Sequence, residues 1–221
     1  MAQKFTILFD LDGTLIDTAP DLIRANNHVM KKFGYPTKTL GELKNAVGKG
    51  AKAMMAKANG QWKWFDEKIQ NEMTNEFLAY YGNNILHESK LINGVKEFLN
   101  WCKKENISMA VCTNKTEHLA VDLLKKIGIY DYFEYVAGYN TFEYCKPDPR
   151  HLITTIEILD GEINKSIMIG DSETDANAAK AAEIPVILLK YGYTEKHSSE
   201  IYHNHLIKDF VGIEKIITQY L

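Results

Sequence analysis

From Val95 onward the chain alternates short apolar runs of strand length with stretches of helical period, and this alternation narrows the fold more than any other feature. Val95 to Glu105 reads as a helix, Ser108-Met109-Ala110-Val111-Cys112-Thr113 as a strand, and Thr116 to Ile127 as a helix stopped by Gly128. Tyr135-Val136-Ala137 reads as a short strand, Pro149 to Leu159 as a helix, and Ser166-Ile167-Met168-Ile169 as a strand ending in Gly170-Asp171. Helix Thr174 to Ala182 and strand Val186-Ile187-Leu188-Leu189 follow, then an edge strand at Leu206-Ile207 and a closing helix from Ile213 to Leu221. Strands without polar alternation are buried on both faces. The expected fold is therefore α/β, a doubly wound parallel sheet, whose ligand site opens beyond the carboxyl ends of the strands.

The first strand lies far from the rest. Phe5-Thr6-Ile7-Leu8-Phe9 is another buried run, and it ends in Asp10-Leu11-Asp12-Gly13-Thr14. Residues i and i+2 of an extended segment point the same way, so both acids can face one pocket. Gly13 supplies the backbone freedom of a tight exit. Crowded carboxylates are costly unless a cation or a proton sits between them, and the simplest cation is a hard divalent ion. The alternative is that one Asp caps a turn and the other is solvated.

Between this strand and the alternating region nothing from Ala19 to Gly82 reads as a strand. A helix capped by Asp17 or Thr18, with Pro20 in its first turn and Gly34 at its end, buries Leu22, Ile23, Asn26, Val29, Met30 and Phe33. Thr39 and Glu42 have capping-box spacing. Helices from Ala51 to Ala58 and from about Asp66 to Tyr81 follow, the second with Ile69, Met73, Phe77 and Tyr80 or Tyr81 at helical spacing. Residues 1–16 and 86–221 are expected to form the α/β unit and 17–85 an all-helical insertion.

With 221 residues, 45% of them hydrophobic, the chain can bury a sizeable core. A net charge of −3 without a long basic run argues against nucleic acid as a partner, and no apolar run is long enough for a membrane span. Three scattered cysteines, Cys102, Cys112 and Cys145, read as reduced thiols. Met1-Ala2-Gln3-Lys4 carries no cleavage-site pattern, and the expected location is cytoplasmic.

Polar residues collect where strands end: Asp10-x-Asp12-Gly13-Thr14, then Thr113-Asn114, then Lys146-Pro147 with Gly170-Asp171-Ser172-Glu173-Thr174-Asp175. In this order the chain resembles the haloacid dehalogenase superfamily, in its phosphatase branch, over nearly its whole length. The resemblance implies a doubly wound core with an inserted all-helical cap. It also implies a magnesium-dependent attack on phosphomonoesters: Asp10 as nucleophile, Asp12 as acid and then base, Thr113 and Asn114 on the phosphate oxygens, and Lys146 offsetting charge. Gly13 and Thr14 belong to the same substrate loop, and Mg2+ would be held by Asp10, the Asp12 carbonyl and Asp171. Family dehalogenases lack an acid at the position of Asp12, which favours phosphate over halide chemistry. Asp175 either touches a metal-bound water, pairs with Lys146, or serves helix electrostatics.

Leu11-Asp12-Gly13-Thr14-Leu15-Ile16-Asp17-Thr18-Ala19-Pro20-Asp21 with Val47-Gly48-Lys49-Gly50 is most similar to the phosphoglycolate phosphatases of that superfamily. This implies a small phosphorylated metabolite as substrate, 2-phosphoglycolate first, with Lys49 contacting it or remaining a solvated loop lysine. A sugar phosphomutase, a pyrophosphatase or nucleotidase of the same superfamily, and an inactive binding module are the competing readings. A monomer or a homodimer suits any of them. His203-Asn204-His205 reads as surface, His28 as polar surface, Trp62 and Trp64 as packing, and Met54, Met55 and Met73 as core filler.

Overall fold

A computed structural model of the protein describes residues 4–43, 46–47, 50–59, 67–194 and 196–221. The element order is β1 (Thr6–Phe9), β2 (Ile16–Asp17), α1 (Ala19–Lys32), α2 (Leu40–Leu43), α3 (Ala51–Asn59), α4 (Glu67–Asn83) and β3 (Lys90–Leu91). Then come α5 (Val95–Lys104), β4 (Ser108–Cys112), α6 (Glu117–Ile127), β5 (Tyr135–Ala137), α7 (Arg150–Ile158), β6 (Ser166–Gly170), α8 (Glu173–Ala181), β7 (Val186–Leu189), β8 (His205–Ile207) and α9 (Glu214–Ile217).

Six strands form one parallel sheet in the order β5-β4-β1-β6-β7-β8. The period of two sorts each strand onto two faces. Ile7, Phe9, Met109, Val111, Ile167 and Ile169 pack on one side, with Leu99 of α5 and Leu123 of α6. Leu8, Ala110, Cys112 and Met168 pack on the other, with Leu152 and Ile156 of α7 and Ala179 of α8. Every one of these side chains is at most 2% exposed. The chain starts in β1, runs outward through β4 and β5, and returns through β6 on the opposite side of β1. That reversal of strand order brings the carboxyl ends of β1, β4 and β6 together at one edge.

The helical segment packs as the sequence pattern requires. Leu22, Val29 and Met30 of α1 are buried with Met73, Phe77 and Tyr81 of α4, and Met54 and Met55 of α3 join the same cluster. Ile23 and Phe33 are only partly buried against it. His28 is half-buried, hydrogen-bonded to Glu76 at 2.7 Å and stacked on Tyr80 at 4.0 Å. Trp62 and Trp64 lie outside the described residues.

One pairing goes beyond the sequence expectations and two expectations change. The two crossings between helices and sheet pair with each other: Ile16 with Leu91 and Asp17 with Lys90, antiparallel. Two residues per strand are too few to show a period. The closing helix is confined to Glu214–Ile217. Thr18 stands at the N-cap of α1 but makes no side-chain cap, because its hydroxyl is engaged elsewhere. In the His203-Asn204-His205 stretch, His203 bonds the Ile201 carbonyl, Asn204 bonds Val186 and His205 bonds the Tyr220 hydroxyl. All three cysteines are free. No helix among the described residues is long and apolar enough to cross a membrane.

Candidate active site

β1 delivers Asp10 to the sheet edge, its N–H bonded to the Ile169 carbonyl at 2.9 Å. The chain then folds back at once: the Leu11 carbonyl accepts from the N–H groups of Leu15 and Ile16, and Gly13 donates to the Ile16 carbonyl. Gly13 has φ of +84°, and a Cβ there would stand 2.3 Å from Asp171 Oδ2. Conformation and space both require glycine at this position.

Four motifs meet at this edge. Lys146 donates from Nζ to Asp10 Oδ1 at 2.8 Å and to Asp175 Oδ1 at 2.6 Å. The Asn114 amide donates to the Lys146 carbonyl at 2.9 Å, tying the loop after β5 to the end of β4. Asp175 Oδ2 accepts from the N–H groups of Asp171 and Ser172, and Ser172 with Asp175 closes a capping box on α8. Asp175 therefore pairs with Lys146 and caps a helix at the same time. Thr113 accepts from the Lys115 N–H through Oγ1, which leaves its own hydroxyl proton to donate. The Thr14 hydroxyl lies 3.5 Å from Asp171 Oδ1. Lys49 lies outside the described residues.

Three further side chains, to which the sequence reading gave no role in the site, take part. Lys115 Nζ donates to both oxygens of Asp12, at 2.8 and 2.9 Å, and Thr18 donates to Asp12 Oδ1 at 2.7 Å. Tyr193 donates its N–H to Asp171 Oδ2 at 2.7 Å, while its hydroxyl donates to Asp17 and accepts from the Ala19 N–H. Lys115 follows Thr113-Asn114 at the same strand end, so position alone would have found it. Tyr193 follows β7 in a loop without a pattern of its own.

Charge at the edge is unevenly compensated. Asp10, Asp171 and Asp175 present carboxylate oxygens within 4.8 Å of one another. Among the described residues, the basic side chain bonded to them is Lys146. Burial pushes the Asp10 carboxyl up to about 7, outweighing the pull of Lys146, with Asp175 adding to the rise. Burial raises Asp171 well above the usual range, helped by Asp175 and Asp10. Although burial disfavours its charge, Lys146 is held above the ordinary lysine value by Asp10 and Asp175. An all-oxygen set with surplus negative charge is the donor chemistry of a hard divalent cation. The space that these acids enclose with Lys146 and Val47 is about 10 Å³, room for about one water-sized body. The residues fit such an ion.

Fold and edge together define the chain's class: it belongs to the haloacid dehalogenase-like hydrolase family, whose sequence pattern it matches over residues 7–189. Within that family it is a phosphatase of the phosphoglycolate phosphatase-like kind. It is 38% identical to a phosphoglycolate phosphatase of Mesorhizobium japonicum, across 92% of this chain and 90% of that protein. It is 37% identical to one of Agrobacterium fabrum, across 96% and 94%. A crystal structure described as a predicted phosphoglycolate phosphatase from Haemophilus somnus superimposes with a TM-score of 0.91 at 28% identity, covering 98% and 99% of the two chains.

Proposed function

We propose that this protein is a magnesium-dependent phosphatase of small phosphomonoesters that works through an aspartyl-phosphate on Asp10, with 2-phosphoglycolate as the first substrate to test. One observation carries the reading: Asp10, Asp171 and Asp175 crowd their buried carboxylates at the end of β1, where the basic side chain bonded to them among the described residues is Lys146, on Asp10 and Asp175, an arrangement that a divalent ion and a phosphoryl group would complete. A cation held by Asp10, Asp171 and the Asp12 carbonyl would neutralise the repulsion between carboxylate and phosphate. Residues 17–85 act in this reading as a cap on a core of 1–16 and 86–221.

Lys146 holds Oδ1 of Asp10, so Oδ2 is the oxygen left to attack phosphorus. The phosphorus–oxygen bond to the leaving alcohol breaks as the acyl-phosphate bond forms, and Asp12 gives its proton to that oxygen. Water then loses a proton to Asp12 and displaces the Asp10 carboxylate, releasing phosphate. Thr113 and the Asn114 N–H hold the phosphate oxygens through both steps, and the Gly13–Thr14 turn keeps the attacking acid in line. Thr18 and Lys115 hold the Asp12 carboxyl against the leaving oxygen.

Phosphate release from a panel of small phosphomonoesters, with and without magnesium, tests this. Magnesium-dependent hydrolysis that includes 2-phosphoglycolate is expected, with an acid-quenched phosphoryl adduct mapping to Asp10. Release from no ester of the panel would overturn it.

A further inference from the structure

Beside Asp12, between the sheet edge and the helical segment, lies a second and far larger cavity, about 330 Å³ in volume. Leu22 of α1, Met54 of α3, Phe77 and Leu78 of α4, and Leu119 of α6 give it an apolar wall. Lys52 and Tyr139 stand at its exposed mouth. Next to Asp12 the wall turns polar. The Lys115 ammonium, its side chain 5% exposed, sits 4.7 Å from the centre of the Tyr81 ring. The hydroxyl of Thr116 and the amide oxygen of Asn114 also belong to wall residues and are buried without a hydrogen-bond partner, while the Tyr81 hydroxyl, beside Lys115, keeps its own proton to donate. Orphaned polar atoms cost free energy unless a ligand meets them.

Resting on the phosphatase reading above, we propose that the leaving group is a small hydroxy acid with a hydrocarbon arm of several carbons, its carboxylate read by Lys115 and the Tyr81 and Thr116 hydroxyls. Distance places the carboxylate. Asp12 must lie within about 3 Å of the ester oxygen to protonate it, and Lys115 Nζ lies 2.8 Å from Asp12. Two hydrogen bonds therefore separate the ester oxygen from the ammonium, and the carboxylate branches from the carbon bearing that oxygen or from its neighbour. Two of the ammonium's three N–H groups go to Asp12 and the third faces Tyr81, so the charge of Lys115 and the proton of the Tyr81 hydroxyl remain for the substrate carboxylate. Volume demands the arm. Pockets of about 300 Å³ or more enclose drug-sized ligands, and the two carbons of glycolate leave most of this one empty. The apolar wall says that the remainder is hydrocarbon.

The test compares kcat/KM for three esters on the intact protein with magnesium: 2-phosphoglycolate, the phosphate ester of 2-hydroxy-4-methylpentanoate, and phenyl phosphate. Burying the larger arm should favour the second over the first by about tenfold or more. Ala51→Phe, which places a ring in the cavity, should cut that preference by about tenfold. Lys115→Met should cost both carboxylated esters about tenfold more than phenyl phosphate, with Lys115→Arg recovering part of the difference. A larger acid hydrolysed no better than 2-phosphoglycolate, or equal losses for all three esters in Lys115→Met, would overturn the proposal. Hydrolysis of none of the three would overturn the phosphatase reading instead.

Discussion

Among the described residues two clusters have the geometry of a metal site, and they differ in how the fold meets their buried charge. Asp10, Asp171 and Asp175 cluster at the sheet edge; Asp21 clusters with His87 and Glu88 where the helical segment rejoins the sheet. Asp21 is 1% exposed, as buried as the edge acids, yet the fold meets its charge completely. It accepts from the N–H groups of His87, Glu88 and Ser89 and from the Ser89 hydroxyl, and it pairs with Arg24 at 2.9 Å. Burial alone would raise its carboxyl, but the Ser89 hydroxyl and the three N–H groups hold it below its ordinary value. Burial raises Asp10 and Asp171 because no such ring of donors surrounds them. A buried carboxylate supplied with donors is a structural pin. A buried carboxylate left short of them is a place for a ligand.

Chemistry gives the largest expected effect. Asp10→Asn keeps the shape of the edge and removes the nucleophile, so turnover of any phosphomonoester should fall by about 10⁴-fold or more. Unfolding in urea should show stability unchanged or raised, since one under-compensated charge has left the interior. Activity near the wild-type level, or a large loss of stability, would place Asp10 with the structural pins.

Asp21→Ala should do the reverse. It strands the N–H groups of residues 87–89 and the Arg24 guanidinium, which should cost about 3 kcal/mol of unfolding free energy. Turnover should persist wherever the variant remains folded, because Asp21 holds the crossing and not the reacting atoms. A stability loss under about 1 kcal/mol would show that its donors are satisfied as well by water.

The contrast also separates what the sequence disclosed from what it withheld. Strand runs such as Ile7–Phe9 and Ile167–Ile169 are legible because burial on both faces removes every polar residue from them. The edge acids are legible because they fall directly after those runs. Asp21 has neither advantage: it stands in the first turn of α1, where any helix favours an acid, and its donors come from residues 87–89. Tyr193 was hidden for the same reason, as its partners Asp17 and Asp171 are joined to it only by folding; the strand-end position of Lys115 was legible, but its tie to Asp12 is likewise made only by folding. The β2–β3 pairing is a contact between two-residue segments that no local pattern encodes.

The smallest effect is a bend in the dependence of stability on pH, and its sign differs between the two groups. Folding raises the Asp10 carboxyl from 3.8 to about 7. Its contribution is therefore fully present below about pH 4 and is lost as pH rises through about 7. Folding lowers the Asp21 carboxyl below 3.8, so its contribution is present above about pH 4 and is lost as pH falls through the folded value. Metal-free protein should accordingly lose about 1–2 kcal/mol between pH 4 and 7 relative to Asp10→Asn, with relaxation absorbing the rest of the burial cost. Saturating magnesium should flatten that difference, because a bound cation stabilises the charged carboxylates. Urea titrations of wild type and Asp10→Asn across this range, with chelator and with magnesium, measure it. A difference curve that is flat without the ion, or unchanged by it, would mean that the edge acids are as well compensated as Asp21 and that the two groups do not differ in kind.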